Sequence, residues 1–420
     1  MKTKYLELVS LGLMPRTFST ALRAIIPFVI IFISSTDQLG IYYLVTSILF
    51  FLSSIIGLDL GFYYSREYLK DINFKISTYN RFTKQFIRLN FFVFIISFIF
   101  YFFFFNNLPS YFFLIPNLIT LEAASLELGK FYRNVGFIKY ASTREFYRAI
   151  FFAGSITFSL SYFKEILTFY SLSIYMFGLI ILLIYEILKF GKLNGSLFKN
   201  FFPNIRTLQN GFLNLFKISA PQFIQNQVNG FILVIERIFL TSLMGLSFQG
   251  VFSLLWSLVS VSSSLLFFSF IARTLKNIIS NLDFPKRETY LEAKNLFYNI
   301  AVIVFSISII IIFFKPIVNW AFELDIKNSY VLIIFTIFFS VISNSYISPV
   351  GPLFGSWERI WLANFQTFLI LFPYLFFIFF KEFFQNSIFV CLTTIIICSI
   401  SQILIRMYFF NKQINLFDKK

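Results

Sequence analysis

Long apolar runs constrain this chain more than any other feature. Stretches of the length an α-helix needs to cross a bilayer, about 20 residues, recur from one end of the sequence to the other. In hydrocarbon every backbone N–H and C=O must find its partner within the segment, so runs of this length specify helices. On that rule spans are expected near 10–34, 40–64, 86–106, 110–128, 146–163, 166–188, 212–243, 248–272, 295–315, 328–348, 358–380 and 385–409. With 58% hydrophobic and only 13% charged residues, the composition is that of a multi-pass membrane protein. The 66 phenylalanines suit lipid-facing and interhelical filling better than an aromatic ligand box.

Twelve spans are an even number, so both termini fall on one side. Lys and Arg divide 28 to 4 between the loops of that side and those of the other, leaving Arg16, Arg23 and Arg237 inside spans. By the positive-inside rule both termini are cytoplasmic. The net charge of +16 is accounted for in this way, and no nucleic-acid partner is implied. Lys2 and Lys4 precede the first run as in a signal peptide, but that run is long, holds arginines and lacks a small-residue cleavage site, so an uncleaved first span is expected.

The chain has no histidine, which excludes His acid–base catalysis, His metal ligation and His proton relays together. Cys391 and Cys398 would lie about 10 Å apart along one helix, too far for a disulfide, and are read as packing residues. No phosphate-binding glycine loop, metal cluster or nucleophile–base pattern is visible, so neither an enzyme nor a bound metal or cofactor is expected.

Two spans carry polar stripes. In the first, Arg16, Ser19, Thr20 and Arg23 share one helix face by their i, i+3, i+4, i+7 spacing. Burying Arg in hydrocarbon costs roughly 2.5 kcal/mol or more, so this face should meet protein or a water-filled cavity. In the seventh, Pro221, Gln222, Gln225, Asn226 and Asn229 stand 206 residues after Pro15, Arg16, Ser19, Thr20 and Arg23. Arg66 to Lys70 and Arg273 to Lys276, at the cytoplasmic ends of the following spans, resemble each other at nearly the same offset. The repeat predicts two parallel six-helix bundles, 1–190 and 212–420, joined by a polar cytoplasmic linker at 191–211. The expected fold is therefore an all-α integral membrane protein of about 12 transmembrane helices around a central cleft. Arg16, Arg23, Ser19, Thr20, Gln222, Gln225, Asn226 and Asn229 are the candidate substrate-binding residues. Asp59, Glu122, Glu236 and Arg237 are candidates for ion coupling or structural ion pairs, with pairing favoured, and Glu127 is expected beside Lys130.

The motif Gly57-Leu58-Asp59-Leu60-Gly61-Phe62 followed by Arg66 resembles the corresponding stretch of Wzx-type polysaccharide-repeat flippases, in the multidrug/oligosaccharidyl-lipid/polysaccharide exporter superfamily. Lys217-Ile218-Ser219-Ala220-Pro221, Glu236-Arg237 and Gly250-Val251-Phe252-Ser253 are similar to motifs of the same group. The resemblance implies a flippase that carries undecaprenyl-pyrophosphate-linked oligosaccharide from the cytoplasmic to the outer leaflet by alternating access. It implies membrane lipids and the lipid-linked oligosaccharide as partners, with polysaccharide polymerase machinery as a protein partner and the transporter itself a monomer. A multidrug or cation exporter of the same superfamily is the main alternative, disfavoured by two arginines where acidic and apolar lining would be expected. A polysaccharide polymerase or ligase is disfavoured by short outer loops. A major-facilitator transporter is disfavoured because Tyr63 to Asp71 lacks the expected Gly/Asp/Arg-rich loop.

Overall fold

The computed structural model describes residues 2–57, 111–166, 168–191, 230–260, 287–313, 330–353 and 388–418, with isolated positions between them. Among the described residues all regular structure is helical. The helices are α1 (Lys2–Ile33), α2 (Thr36–Gly57), α3 (Tyr111–Asn134), α4 (Ile138–Phe163), α5 (Phe169–Gly191), α6 (Arg287–Phe313), α7 (Tyr330–Leu353) and α8 (Ile388–Asp418). The segment 230–260 is helical as well.

Six helical segments among the described residues are long and apolar enough to cross a membrane. They lie in α1, α2, α5, 230–260, α6 and α8, and α7 contributes a shorter apolar stretch at Tyr330–Ser343. Large apolar side chains such as Phe32, Phe177, Phe313 and Phe389 stand exposed on helix surfaces, as lipid contact requires. The chain is a multi-pass membrane protein.

Local chemistry sets the turns. Ser35 Oγ accepts from the Gln38 amide at 3.3 Å, and Asp37 sits in the first turn of α2, so the α1–α2 turn has a capped and charge-complemented helix start. α3 stops in a Schellman arrangement: Gly136 takes φ +91, Phe137 N–H bonds Tyr132 O at 2.8 Å and Gly136 N–H bonds Arg133 O at 3.2 Å. Between α4 and α5, Thr168 and Ser171 each accept from the other's backbone N–H at 3.1 Å, a reciprocal cap on α5.

The α3–α4 turn corrects the expected topology of this region. The spans expected at 110–128 and 146–163 are longer helices, and the cytoplasmic loop expected at 129–148 shrinks to three residues. Arg144 and Arg148, counted above as loop charges, lie inside α4 and are buried.

The chain divides into two compact units. The first comprises Met1–Val29 and Leu49–Phe223; the second comprises Ile30–Ile48 and Ile224–Lys420. The α1–α2 turn therefore groups with the second unit, although the expected division lay in the 191–211 linker.

In the first unit α3, α4 and α5 pack against one another. Leu114, Leu118, Leu172, Tyr175 and Leu179 form the core between α3 and α5. In the second unit α7 packs on both α6 and α8. Cys391 and Cys398 are buried and free in α8. Within 230–260, Glu236 and Trp256 both reach Ser340 of α7. A straight helix would hold two residues twenty positions apart about 30 Å from each other, so the segment folds back on itself. Gly245, with φ +84, supplies the reversal. The break between the spans expected at 212–243 and 248–272 falls at this point.

Candidate functional site

The polar face of α1 meets α4 inside the first unit. Arg16 forms an ion pair with Glu145 of α4 at 2.5 Å, and Ser19 Oγ donates to the Glu145 carbonyl at 3.3 Å. Phe18 and Phe146 add an edge-on ring contact beside this pair. Ser19 is buried, and Thr20 donates its hydroxyl to the Arg16 carbonyl at 2.9 Å. Both hydroxyls, expected to bind substrate, give their protons to packing and to helix back-bonding. Both roles follow from position: on a helix face pressed against another helix, a short hydroxyl finds a nearby carbonyl first.

Arg23 differs. Its side chain is exposed, and it forms no ion pair among the described residues, although it lies within electrostatic reach of Arg148, Glu145 and Glu122. Pro27, one turn further on, has no N–H to give the Arg23 carbonyl, so this carbonyl also lacks its usual helical partner.

Behind this face lies a closed polar cluster. Arg148 Nη2 pairs with Glu122 Oε1 at 3.0 Å, and Tyr175 donates its hydroxyl to Glu122 Oε2 at 2.7 Å. Both Glu122 oxygens are thereby used, and Glu122 serves as a structural counter-ion. Arg144 pairs with Glu186 at 2.9 Å, again within the interior. Arg133 adds its field to both Arg16 and Glu145. Among the described residues, Arg16, Arg23, Arg133 and Arg148 all lie within the electrostatic reach of Glu145, and Arg148 and Arg23 within that of Glu122.

Sequence reading missed Glu145, Arg144 and Arg148 as interior residues, because 129–148 read as a loop, and it passed over Glu186 near the end of the span expected at 166–188. The signal was present: Ala141, Arg144 and Arg148 continue through Ser155 to Ser159 at helical spacing, and all five are buried.

Glu127 is wholly buried and pairs with Lys130 at 2.5 Å. Its Oε2 also accepts the Gly61 N–H at 2.7 Å. A Cβ on Gly57 would come 2.8 Å from the Glu127 side chain, and one on Gly61 would meet the Glu127 carbonyl. The two glycines that carried the resemblance are a notch for this carboxylate.

In the second unit Glu236 and Arg237 form no ion pair with each other among the described residues, although each lies in the other's field. Glu236 accepts from Ser340 Oγ at 3.1 and 3.3 Å, and Trp256 Nε1 donates to the same Ser340 Oγ at 3.1 Å. Arg237 donates to the Tyr43 carbonyl at 2.7 Å and lies 5.4 Å over the Tyr43 ring. Neighbouring residues project about 100° apart on a helix, which sends the two side chains to different partners. Gln222, Gln225, Asn226, Asn229 and Asp59 lie outside the described residues, as do Arg66 to Lys70 and Arg273 to Lys276. Among the described residues no group of His, Cys, Asp and Glu could hold a metal ion.

No protein-family model matches this chain. No curated protein matches it either. Solved structures do. An outward-facing multidrug resistance MATE family transporter of the MOP superfamily aligns with TM-score 0.60 at 12% identity, covering 98% of this chain and 96% of that one. A MATE structure in the straight conformation aligns with TM-score 0.56 at 13% identity, over 99% and 96% of the two chains. A MOP superfamily transporter from Pyrococcus furiosus, described as having a binding pocket of reverse polarity that suggests a different function, aligns with TM-score 0.55 at 13% identity over the same shares. At such identities the likeness is one of fold, and the chain has the fold of the MATE transporters of the MOP superfamily.

Proposed function

We propose that this protein is a membrane transporter that moves an anionic, lipid-linked oligosaccharide across the inner membrane, with both termini in the cytoplasm and the substrate's pyrophosphate headgroup bound at α1. The observation that carries this reading is Arg23: exposed, without an ion-pair partner among the described residues, and on the same face of α1 as the accessible Arg16. Guanidinium recognises phosphate through bidentate, charge-assisted hydrogen bonds, which a low-dielectric setting strengthens. Twelve spans in two parallel bundles that expose the site alternately to the two sides, with the amides of the seventh span receiving sugar hydroxyls, complete the proposal.

The test replaces Arg23 by Ala and by Lys at matched membrane abundance and measures surface polysaccharide. Arg23→Ala should lower it by about tenfold or more, the scale of one lost charge-assisted hydrogen bond. Wild-type export by both variants would sink the headgroup role. Retention by Lys alone would keep the charge requirement and remove the bidentate one.

A second reading, multidrug export, is supported by the description of a similar fold as a multidrug resistance transporter. It also draws on Glu236, a buried carboxylate hydrogen-bonded to Ser340 and without an ion-pair partner among the described residues, as a cation-binding group. Drug resistance conferred by the wild type and lost in Glu236→Gln would favour it over the flippase.

A further inference from the structure

The ion pairs of the first unit are not equivalent. Arg144–Glu186 and Arg148–Glu122 are closed, with side-chain exposures of 5% to 10%, whereas Arg16 and Glu145 each keep 21% of their side-chain surface open. The accessible pair shares its helix face with Arg23, two turns further along α1. A carboxylate thus already sits on one of the two arginines that an anionic headgroup would meet. We infer that Glu145 is a resident competitor at this site, a carboxylate that occupies Arg16 and must be displaced by substrate, so that a singly charged or short anion is confined to Arg23 while a diphosphate takes both arginines. This inference rests on the anionic-headgroup reading and concerns the same site.

The reasoning is one of competition. A monoanion that replaced Glu145 on Arg16 would exchange one carboxylate-like contact for another and would lose the entropy of a free ligand in doing so. Arg16 and Arg23 lie about 10 Å apart along the helix. A diphosphate has charged oxygens at both ends and can engage both guanidinium groups, whereas a single phosphate or carboxylate reaches one. Only the longer and more highly charged anion therefore gains more than Glu145 gives up, and discrimination by a built-in competitor is a recognised route to specificity. The displaced carboxylate has somewhere to go. Glu145 lies in the field of Arg133 and Arg148 as well as Arg16 and Arg23, so its release leaves it among cations.

The test measures binding of inorganic pyrophosphate and inorganic phosphate to the full-length protein in nanodiscs by calorimetry. In Glu145→Gln, which removes the competitor's charge and keeps its shape, pyrophosphate should bind about tenfold more tightly than in wild type, the scale of one charge-assisted contact. Phosphate, which Arg23 holds without displacing Glu145, should gain less, so that the preference for pyrophosphate widens. Equal or weaker pyrophosphate binding by a Glu145→Gln protein of unchanged melting temperature overturns the competitor role. A gain with an unchanged preference overturns the selectivity. If Glu145→Gln does not fold, Arg16→Gln/Glu145→Gln removes both charges of the pair and should bind the two anions alike; a retained preference for pyrophosphate overturns the inference. Binding of neither anion by folded wild type and folded Glu145→Gln overturns the anionic-headgroup reading itself, an outcome separate from the others.

Discussion

Arg148 shows what a charge inside this protein demands. It is buried in α4 and held by Glu122, which Tyr175 holds in turn. Removing one member of a buried pair leaves the other without compensation, at a cost of about 3–5 kcal/mol. Glu122→Gln should therefore lower the melting temperature of the purified protein far more than Glu145→Gln, whose pair is accessible and whose arginine keeps solvent. Comparable losses in the two variants would show that exposure does not separate the pairs. The arginines of α1 were legible in the sequence, because a charge in an apolar run is conspicuous. The ion pairs were not, since Glu145 is separated from Arg16 of α1, and Glu122 of α3 from Arg148 of α4, by chain distances that no local spacing encodes. Glu236 and Arg237 make the same point: they adjoin in sequence, and helix geometry sends one to Ser340 and the other to Tyr43.

At the scale of elements, close approach is governed by glycine. Within the second unit Gly40 of α2 lies against the Leu246 carbonyl, and a Cβ on Gly250 would come 2.7 Å from Gly40 N and 2.9 Å from Thr36 O. Thr36 and Ser247 hydroxyls meet at 2.9 Å, and Ser247 donates to Asp37 at 2.6 Å. Backbone cannot retreat as a side-chain tip can, so overpacking here should cost about 1–3 kcal/mol. Gly40→Val should lower the melting temperature, while Gly154→Val, at a position with open space around it, should change it much less. The sequence located most helices because hydrophobic runs are long, but it misjudged α3 and α4. Their charges looked like loop charges, and only burial in ion pairs makes such residues acceptable in a helix interior.

For the whole molecule, the expected orientation follows from the loop charges, and it persists when Arg144 and Arg148 are moved from the loops to the interior, since the opposite loops hold only Lys164, Lys315, Lys327 and Lys381. In a Cys391→Ser/Cys398→Ser background, a cysteine at Lys420 should resist a membrane-impermeant thiol reagent added to intact cells and react after permeabilisation. Reaction in intact cells would reverse the orientation. What the sequence determined by itself was the class of fold, because a bilayer permits only structures that satisfy their own backbone and because apolar length is read residue by residue. It also determined that two arginines share one face of the first span. The tertiary structure decided which charges are committed and which are open. Pairing depends on the packing of α1, α3, α4 and α5 in three dimensions, and it was this packing that joined Arg16 to Glu145, enclosed Arg148 with Glu122, and left Arg23 exposed.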